Sequence, residues 1–292
     1  AAFGDDYYNG GDGGGGGEDD EEWDEGAERA ETARLLREVG SGASGRVWQA
    51  VLLRDLSDCP AGTQLAVKLI HPHLHEHAEL LRQVDNEVRA GMAVRHPAVV
   101  RVYATGDGPE GRWLAMQWVG GPTLRTLLEE AQGALAEPRV RAILRRAYEG
   151  LAALHAAHWM HGDIKPENIR LDEEGQAVLL DLGFARRTDQ PAQDRRPGSI
   201  AYLAPEMARG SPGDAASDVF ALAVVGYELA TGVHPFVRAA ATQVSSRSDM
   251  RDPLFDSLGS SGAVARAAIE KPSADRVLAA IVAARCPPPS RL

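Results

Sequence analysis

The chain has 292 residues, of which 44% are hydrophobic and 25% are charged, an ordinary composition for a globular protein. Its formal net charge is −11, and residues 1–26 hold ten acidic side chains and no Lys or Arg. The remaining residues are nearly neutral, which argues against nucleic acid or an anionic membrane surface as a partner. The most apolar run, residues 219–233, is too short to cross a membrane and contains Glu228.

Residues 1–30 are expected to form an acidic, glycine-rich, disordered tail. The run from Gly13 to Gly17 and the scarcity of aliphatic residues leave too little apolar surface to offset the entropy of ordering. Such a tail can inhibit in cis or recruit basic partners, but a solvating role is the favoured interpretation.

Residues 34–119 are predicted to form a small, strand-rich lobe with one helix. The helix spans residues 76–95 and is stopped by His96-Pro97, because the residue before a proline disfavours helical geometry. Strand-like runs bounded by turn residues lie at 47–53, 64–70, 99–103 and 113–119.

Residues 120–292 are predicted to form a larger, mainly helical lobe. Pro138 opens a helix in which apolar residues recur on one face, namely Val140, Ile143, Leu144, Ala147, Leu151 and Leu154. Further helices are predicted at 218–231 and 275–285, short strands at 169–171 and 178–180, and a polar loop at 238–261.

The segment Gly40-Ser41-Gly42-Ala43-Ser44-Gly45-Arg46-Val47 has the pattern GxGxxGxV. Glycines allow a tight loop to approach phosphates with its backbone N–H groups. Alone the pattern is weak, because an exposed hairpin turn has the same composition. A dinucleotide-binding fold would need a helix after the glycines, whereas a strand is predicted here.

Lys68 interrupts the apolar strand Leu65-Ala66-Val67-Lys68-Leu69-Ile70. A strand lysine usually faces solvent, but a buried one needs an anionic partner. Glu87, on the following predicted helix, is the candidate partner.

The segment His161-Gly162-Asp163-Ile164-Lys165-Pro166-Glu167-Asn168 is followed by Asp181-Leu182-Gly183. Phosphoryl transfer needs a carboxylate that orients the attacking hydroxyl, oxygen ligands for Mg²⁺ and cations on the phosphates. Asp163 is the candidate for the first role and Asn168 with Asp181 for the second. Lys68 and Lys165 are the candidates for the third.

In this order and spacing the motifs resemble the eukaryotic-type (Hanks-type) Ser/Thr protein kinase family over roughly residues 35–292. The matching positions are the glycine loop, Ala66-Val67-Lys68, Glu87, Asp163, Asn168, Asp181-Leu182-Gly183, Ala204-Pro205-Glu206, Asp218 and Arg291. The resemblance implies an α+β, two-lobed fold with a small antiparallel-sheet N-lobe, one helix in that lobe, and a larger helical C-lobe. It also implies that the last helix of the fold would lie beyond Leu292.

The family's ligands would be ATP and Mg²⁺. The resemblance implies a catalytic set of Asp163 as base, Lys165, Asn168, Lys68 and Glu87, and metal ligands Asn168 and Asp181. Nucleotide contacts would come from Gly40, Ser41, Gly42, Ala43, Ser44, Gly45, Val47, Ala66, Lys68, Met116, Gln117, Val119 and Asp181. Among these, Met116 would be the gatekeeper, and the backbone of Gln117 and Val119 would meet adenine. Glu206 would pair with Arg291.

Lys165, two residues after Asp163, resembles the Ser/Thr class of the family, and Ser199 stands where that class has a hydroxyl reaching toward the catalytic Asp and Lys. The expected function is therefore transfer of the ATP γ-phosphate to a Ser or Thr hydroxyl of a protein. The alternatives are a pseudokinase that acts as a binding module and a small-molecule phosphotransferase. Ala204-Pro205-Glu206 and Asp218 argue against the latter.

Four positions depart from the family pattern. Gly162 replaces an Arg that usually binds an activation-loop phosphate, so we expect activity that is not switched by loop phosphorylation. Leu182 replaces Phe, which is a mild change. Gly91 replaces a bulky residue and is expected to leave a cavity that loosens its helix. Arg170 replaces the apolar residue under adenine, where it would either lay its stem with the head outward or weaken ATP binding.

Two cysteines and a histidine-rich segment are the other candidates for redox or metal chemistry. Cys59 and Cys286 lie far apart, so neither a disulfide framework nor a zinc site is predicted, and a reducing, cytoplasmic location is the default. The alternating His71, His73, His75 and His77 could hold a transition metal, but an exposed loop is the favoured interpretation.

Overall fold

Strand-forming residues between positions 33 and 117 build an antiparallel sheet in the computed structural model, which describes residues 32–42, 44–56, 59–71, 77–108, 111–189, 198–237, 279 and 281–282. Its strands are β1 (Ala33–Gly42), β2 (Gly45–Leu52), β3 (Gln64–Ile70), β4 (Val102–Gly108) and β5 (Gly111–Gln117). The sheet order is β1-β2-β3-β5-β4, and every neighbouring pair is antiparallel.

Three of the four strands predicted for this part of the chain are confirmed. The strand predicted at 99–103 is wrong in its position, because β4 begins only at Val102. Val99 and Val100 are buried ahead of the strand, and Val99 forms only a single β-bridge there, so the apolar run at 99–100 is a buried connection and not the start of β4.

The alternation of side chains along β3 sets the position of Lys68. Leu65, Val67 and Leu69 join one apolar cluster of the sheet, whereas Ile70 packs on the opposite side with Val84 of helix α1 (Ala78–Ala93). Because side chains two apart in a strand share a face, Lys68 lies on the Ile70 side, toward α1.

The chain divides into two units, residues 1–120 with 180–185 and residues 121–179 with 186–292. In the second unit the described helices are α2 (Leu124–Ala131), α3 (Glu137–Ala156), α4 (Pro205–Ala208) and α5 (Ala215–Thr231). Two short antiparallel pairs complete it, β6 (Trp159–Met160) with β9 (Arg186–Arg187), and β7 (Ile169–Leu171) with β8 (Ala177–Leu179).

The predicted amphipathic helix after Pro138 and the predicted helix at 218–231 are confirmed as α3 and α5. The two helices pack closely, because a Cβ on Gly226 of α5 would lie 2.8 Å from Leu144 Cδ1 of α3. Asp214 caps α5 in a capping box with Ser217, and Gly232, with φ of +73°, ends it.

The α+β class expected from the sequence is confirmed, with a small sheet-based unit and a larger helical one. Helix α2 was not predicted, although Thr123 caps it and Leu124, Leu127 and Leu128 form its buried face. Of the helix predicted at 275–285, only residues 279, 281 and 282 are described. Within the described ranges, no helix has both the length and the apolar content needed to cross a bilayer.

Candidate active site

Lys68 and Glu87 form a buried ion pair in the first unit. Lys68 Nζ donates to Glu87 Oε2 at 2.6 Å, and both side chains are largely removed from solvent. Burial alone would lower the pKa of Lys68, but the carboxylates of Glu87 and Asp181 outweigh it and raise that pKa. Lys68 is therefore a fixed cation with an adjacent counter-ion.

The three glycines of the GxGxxG segment differ in what surrounds them. A Cβ on Gly45 would overlap Leu69 O of the neighbouring strand, so packing within the sheet requires a glycine there. A Cβ on Gly40 or Gly42 would meet nothing within 4 Å. The open space over Gly40 and Gly42 is what a loop that approaches phosphate groups would need, while packing does not require glycine at either position.

Several other predicted nucleotide contacts lie on the same sheet. Ala66 of β3 stands opposite Met116 of β5, and Val47 of β2 stands opposite Lys68. Gln117 ends β5 and donates its N–H to Arg101 O at 2.8 Å, and Val119 is buried two residues later. Ser44 follows Ala43, which is outside the described residues.

Asp181 is held in the first unit with a left-handed backbone, φ of +56°, which is rare for a residue other than glycine. Its side chain caps the short 3₁₀ helix Leu182–Phe184 and accepts from Gly183 N at 3.3 Å. Leu182 is fully buried, so the change from Phe keeps an apolar contact. Residues forced into such conformations cluster at functional sites.

In the second unit Asp163 lies at the centre of a polar cluster with Lys165, Asn168 and Ser199. Lys165 Nζ donates to Asp163 Oδ2 at 2.6 Å and to Ser199 Oγ at 3.0 Å, and Ser199 N donates to Asp163 Oδ1 at 2.7 Å. Asn168 Nδ2 donates to Asp163 O at 2.8 Å and to Oδ2 at 3.0 Å. Burial alone would raise the pKa of Asp163, but the bonds from Lys165 and Ser199 keep it below its ordinary value of 3.8.

Asp218, in the first turn of α5, fixes the backbone just before Asp163. Its carboxylate accepts from His161 N at 2.8 Å, from Gly162 N at 2.9 Å and from His155 Nε2 at 2.8 Å. Because Asp218 is buried, these bonds compensate for its lost hydration. Three elements of the second unit are thereby joined at the residue that precedes Asp163.

Gly162 has φ of +81°, a conformation that an Arg side chain would make strained. The backbone at position 162 therefore favours glycine over Arg. Thr188, the one hydroxyl residue in the sequence between Phe184 and Pro197, donates to His158 O at 3.3 Å.

The cavity predicted at Gly91 is absent, and that prediction is wrong. A Cβ on Gly91 would overlap Val102 Cγ2 and would lie 3.1 Å from Val102 Cβ. The side chain of Val102, on β4, therefore occupies the space that a larger residue at position 91 would use. Gly91 is required for the close approach of α1 to this strand.

Arg170 lies on β7, and its Nε donates to Gly121 O at 2.5 Å. The side chain is half-buried, and burial lowers the pKa of the guanidinium. Arg170 therefore anchors the segment that begins at Gly121, within the second unit.

Sequence reasoning missed Gly198 and a cluster around Arg125. A Cβ on Gly198 would come within 2.6 Å of Gly162 O, so glycine is needed for Ser199 N to reach Asp163. Arg125 donates to Glu167, Glu228 and Tyr202 at 2.8–2.9 Å. The sequence signals for these roles were weak, namely a glycine before Ser199 and an arginine on a helix that was not predicted.

Some predicted residues lie outside the described ranges. Arg291 is among them, so its pairing with Glu206 stays a prediction, and Glu206 accepts from Ser217 Oγ at 2.5 Å. His73 and His75 are also outside. Among the residues that are described, no group of three or more His, Cys, Asp or Glu side chains could hold a metal ion.

Comparison with known proteins gives a consistent result. Residues 33–269 match the family model described as protein kinase domain. The chain is 34% identical over 212 residues to the serine/threonine-protein kinase pkn2 of Myxococcus xanthus, and the match covers 70% of this chain and 25% of the relative. It is 32% identical over 222 residues to PknA of Mycobacterium tuberculosis (strain ATCC 25177 / H37Ra), covering 73% and 50%.

A third relative is the serine/threonine-protein kinase PkaB of Streptomyces coelicolor, 37% identical over 209 residues, covering 68% of this chain and 48% of the relative. The matches thus span between a quarter and a half of the relatives' lengths. The family model covers well over half of this chain, and each of these relatives is more than 30% identical to it over about two thirds or more of its length. The chain therefore belongs to the Hanks-type Ser/Thr protein kinase family.

Proposed function

We propose that the protein transfers the γ-phosphate of ATP to a Ser or Thr hydroxyl of a protein substrate. The observation that carries this proposal is the cluster around Asp163, in which a buried carboxylate with a lowered pKa lies within hydrogen-bond distance of Lys165, Asn168 and Ser199. An ionised carboxylate at neutral pH can accept a proton from an alcohol, and the adjacent ammonium can stabilise phosphate charge.

In the proposed reaction, the hydroxyl oxygen of the acceptor forms a bond to the γ-phosphorus. The bond from that phosphorus to the bridging oxygen of ADP breaks, and the hydroxyl proton moves to the Asp163 carboxylate. Asp163 orients the hydroxyl for this attack. Lys165 contacts both Asp163 and Ser199, so it can hold the carboxylate and remain next to the incoming phosphoryl oxygens.

The donor phosphates are assigned to groups of the first unit. Lys68 keeps its charge because Glu87 is its counter-ion, and a pre-positioned ammonium binds phosphate as a point charge. The open space over Gly40 and Gly42 would admit the phosphates close to the backbone. Adenine is assigned to Ala66, Met116, Gln117 and Val119, as the family resemblance implies.

Asn168 and Asp181 are the proposed ligands of Mg²⁺. Both hydrogen bonds of Asn168 in this cluster use Nδ2, which leaves Oδ1 as its ligand atom. Asp181 supplies carboxylate oxygens, and Mg²⁺ prefers oxygen ligands. Bound Mg²⁺ would neutralise charge that develops on the phosphate oxygens.

The test is transfer of radiolabelled γ-phosphate from ATP with Mg²⁺ to Ser/Thr-rich and basic proteins. Wild type is compared with Asp163→Asn and Lys68→Met, and phosphoamino-acid analysis identifies the acceptor. We expect the wild type alone to label Ser or Thr, with losses of about 10²-fold or more in each variant.

Two outcomes would contradict the proposal. Equal labelling by all three proteins would mean that the transfer does not depend on Asp163 or Lys68. No labelling by the wild type, with nucleotide still raising the melting temperature, would indicate a binding module.

A further inference from the structure

Arg125, Glu167, Tyr202 and Glu228 form a single cluster, here called the Arg125 cluster. Arg125 donates through Nε to Glu167 Oε1 at 2.8 Å, through Nη1 to Glu228 Oε1 at 2.9 Å and through Nη2 to Tyr202 Oη at 2.8 Å. Tyr202 in turn donates to Glu228 Oε2 at 2.7 Å. All three guanidinium nitrogens are thus used, each by a residue from a different segment.

The Arg125 cluster lies beside the proposed acceptor site. Tyr202 lines the same pocket as Asp163 and Ser199, and Glu167 is the neighbour in sequence of Asn168. A hydroxyl held at Asp163 would therefore bring the flanking residues of its peptide close to this cluster.

The Arg125 cluster runs from the interior to the surface. The side chain of Glu228 is 8% exposed, that of Arg125 is 29% exposed and that of Glu167 is 45% exposed. Solvent, and hence a peptide, can reach Glu167 and the outer part of Arg125.

Arg125 places one positive charge between the carboxylates of Glu167 and Glu228. Two carboxylates converge on one point, and burial next to Glu228 raises the pKa of Tyr202, so the phenol stays neutral and donates. Without Arg125 the two carboxylates would form an open acidic pocket sized for one guanidinium, because that is the group they now bind. Paired carboxylates of this kind recognise arginine through charge-assisted hydrogen bonds.

We propose that Arg125 is a specificity-determining residue, an internal occupant that closes an acidic pocket beside the acceptor site to basic residues of the substrate. The proposal rests on the proposed function, since it names the acceptor preference of the same site. It predicts that the wild type gains little from an arginine near the acceptor Ser, and that removal of Arg125 creates that preference.

The experiment uses the full chain as wild type, Arg125→Ala and Arg141→Ala. Arg141 is an exposed residue paired with Glu137, so its removal changes net charge equally without opening the pocket. The substrates are Ser-centred peptides in which one Arg is moved through the flanking positions, each matched by the same peptide with neutral citrulline. Binding is measured by fluorescence anisotropy and transfer by kcat/KM.

We expect the wild type and Arg141→Ala to differ by less than about threefold between Arg and citrulline peptides. Arg125→Ala should prefer Arg at one flanking position by about tenfold, and the preference should weaken as salt rises. Adding Glu167→Gln to Arg125→Ala should reduce the preference. A role in stability alone would lower the melting temperature without creating any preference between the two peptides.

A second readout needs no peptide and no activity. Methylguanidinium at millimolar concentration should raise the melting temperature of Arg125→Ala and leave that of wild type unchanged, since only the variant has a vacant pocket. If Arg125→Ala does not fold, Arg125→Lys replaces it in the peptide assays. One ammonium cannot match the three directed N–H contacts of Arg125, so a weaker preference of the same sign is expected.

Equal binding of Arg and citrulline peptides by the Arg125 variant, with no effect of methylguanidinium, would overturn the inference even if the wild type phosphorylates Ser. A wild type without transfer would overturn the proposed function instead, while the binding and melting results would still decide whether Arg125 closes a cation pocket.

Discussion

The carboxylate of Asp163 is buried, and three donors replace the water that it has lost. Lys165 Nζ, Asn168 Nδ2 and Ser199 N all bond to it at 2.6–3.0 Å. Two of these donors are neutral, so Lys165 is the group in this set that supplies a full positive charge. The proton affinity of Asp163 should therefore depend on Lys165 more than on its other partners.

Replacing Lys165 by Met should move the acid limb of the pH profile of kcat/KM to higher pH. Burial raises the pKa of Asp163 and the Lys165 contacts lower it, so loss of the ammonium leaves burial less opposed and the pKa rises. A base with a raised pKa becomes protonated, and inactive, at a higher pH. The measurement is the shape of the profile from pH 4 to 8, whatever the height of its plateau.

Lys165→Arg is the matched control for this prediction, because it keeps the positive charge while changing the shape of the side chain. Its acid limb should stay near that of the wild type. If Lys165→Met and wild type lost activity at the same pH on acidification, Asp163 would not be the group that governs the acid limb.

At the scale of elements, the contact of α1 with β4 explains why a glycine is found at position 91. The helix carries Glu87, so its distance from the sheet also sets the reach of Glu87 toward Lys68. Val102 is buried and occupies the space beside Gly91. A small residue on the helix is thus paired with a branched residue on the strand.

Gly91→Ala should destabilise the protein by about 1–3 kcal/mol, the usual cost of overpacking a filled core. Alanine is a better helix former than glycine by about 1 kcal/mol, but its Cβ would overlap Val102 Cγ2 and lie 3.3 Å from Val102 N. The backbone contact limits how far the strand can yield. Urea denaturation, followed by circular dichroism, measures the change in unfolding free energy.

The double variant Gly91→Ala with Val102→Ala tests the cause. The smaller residue at position 102 makes room for the new Cβ. The double variant should therefore lose about 1 kcal/mol or more less unfolding free energy than the two single variants lose together. Strictly additive losses would show that the two positions do not share this space.

Element types followed from sequence patterns where the pattern was local. Lys68 on β3, the amphipathic face of α3 and the presence of α5 depend on patterns within one strand or one helix, whereas the start of α5, capped by Asp214, lies three residues before the predicted one. The start of β4 could not be predicted, because a buried valine gives the same sequence signal whether it lies in a strand or in a buried connection. The pairing of Gly91 with Val102 depends on a helix meeting a strand eleven positions later, which no local pattern encodes.

At the scale of the whole molecule, the order of motifs along the chain identified the family before any distance was known. That order could not reveal the Arg125 cluster, since Arg125 and Glu228 are separated by 103 positions and neither belongs to a phosphate-binding pattern. Features that many members of a family share can be predicted from one sequence. A contact between side chains that are far apart in the sequence becomes visible only when distant segments are placed together.

The uneven distribution of charge is also a property of the whole molecule. Residues 1–26 contribute −10 of the formal net charge of −11, and these residues lie outside the described ranges. The kinase domain that we propose for residues 34–292 is nearly neutral by itself. Any electrostatic attraction of basic substrates at low ionic strength should therefore come mostly from the tail.

Deletion of residues 1–30 should leave the melting temperature unchanged, because the tail has too few apolar residues to bury surface against a domain. It should leave kcat/KM for neutral peptides unchanged as well. The matched control keeps the length of the tail and replaces the ten acidic residues of positions 1–26 by Asn and Gln. Calorimetry and steady-state kinetics at about 20 and 200 mM salt, where screening differs strongly, separate the contributions of charge and of length.

A fall in melting temperature in both variants would show that the acidic residues stabilise the domain. A rise in kcat/KM toward basic peptides at low salt in both variants would mean that the tail competes with substrate, and a solvating role would then be wrong.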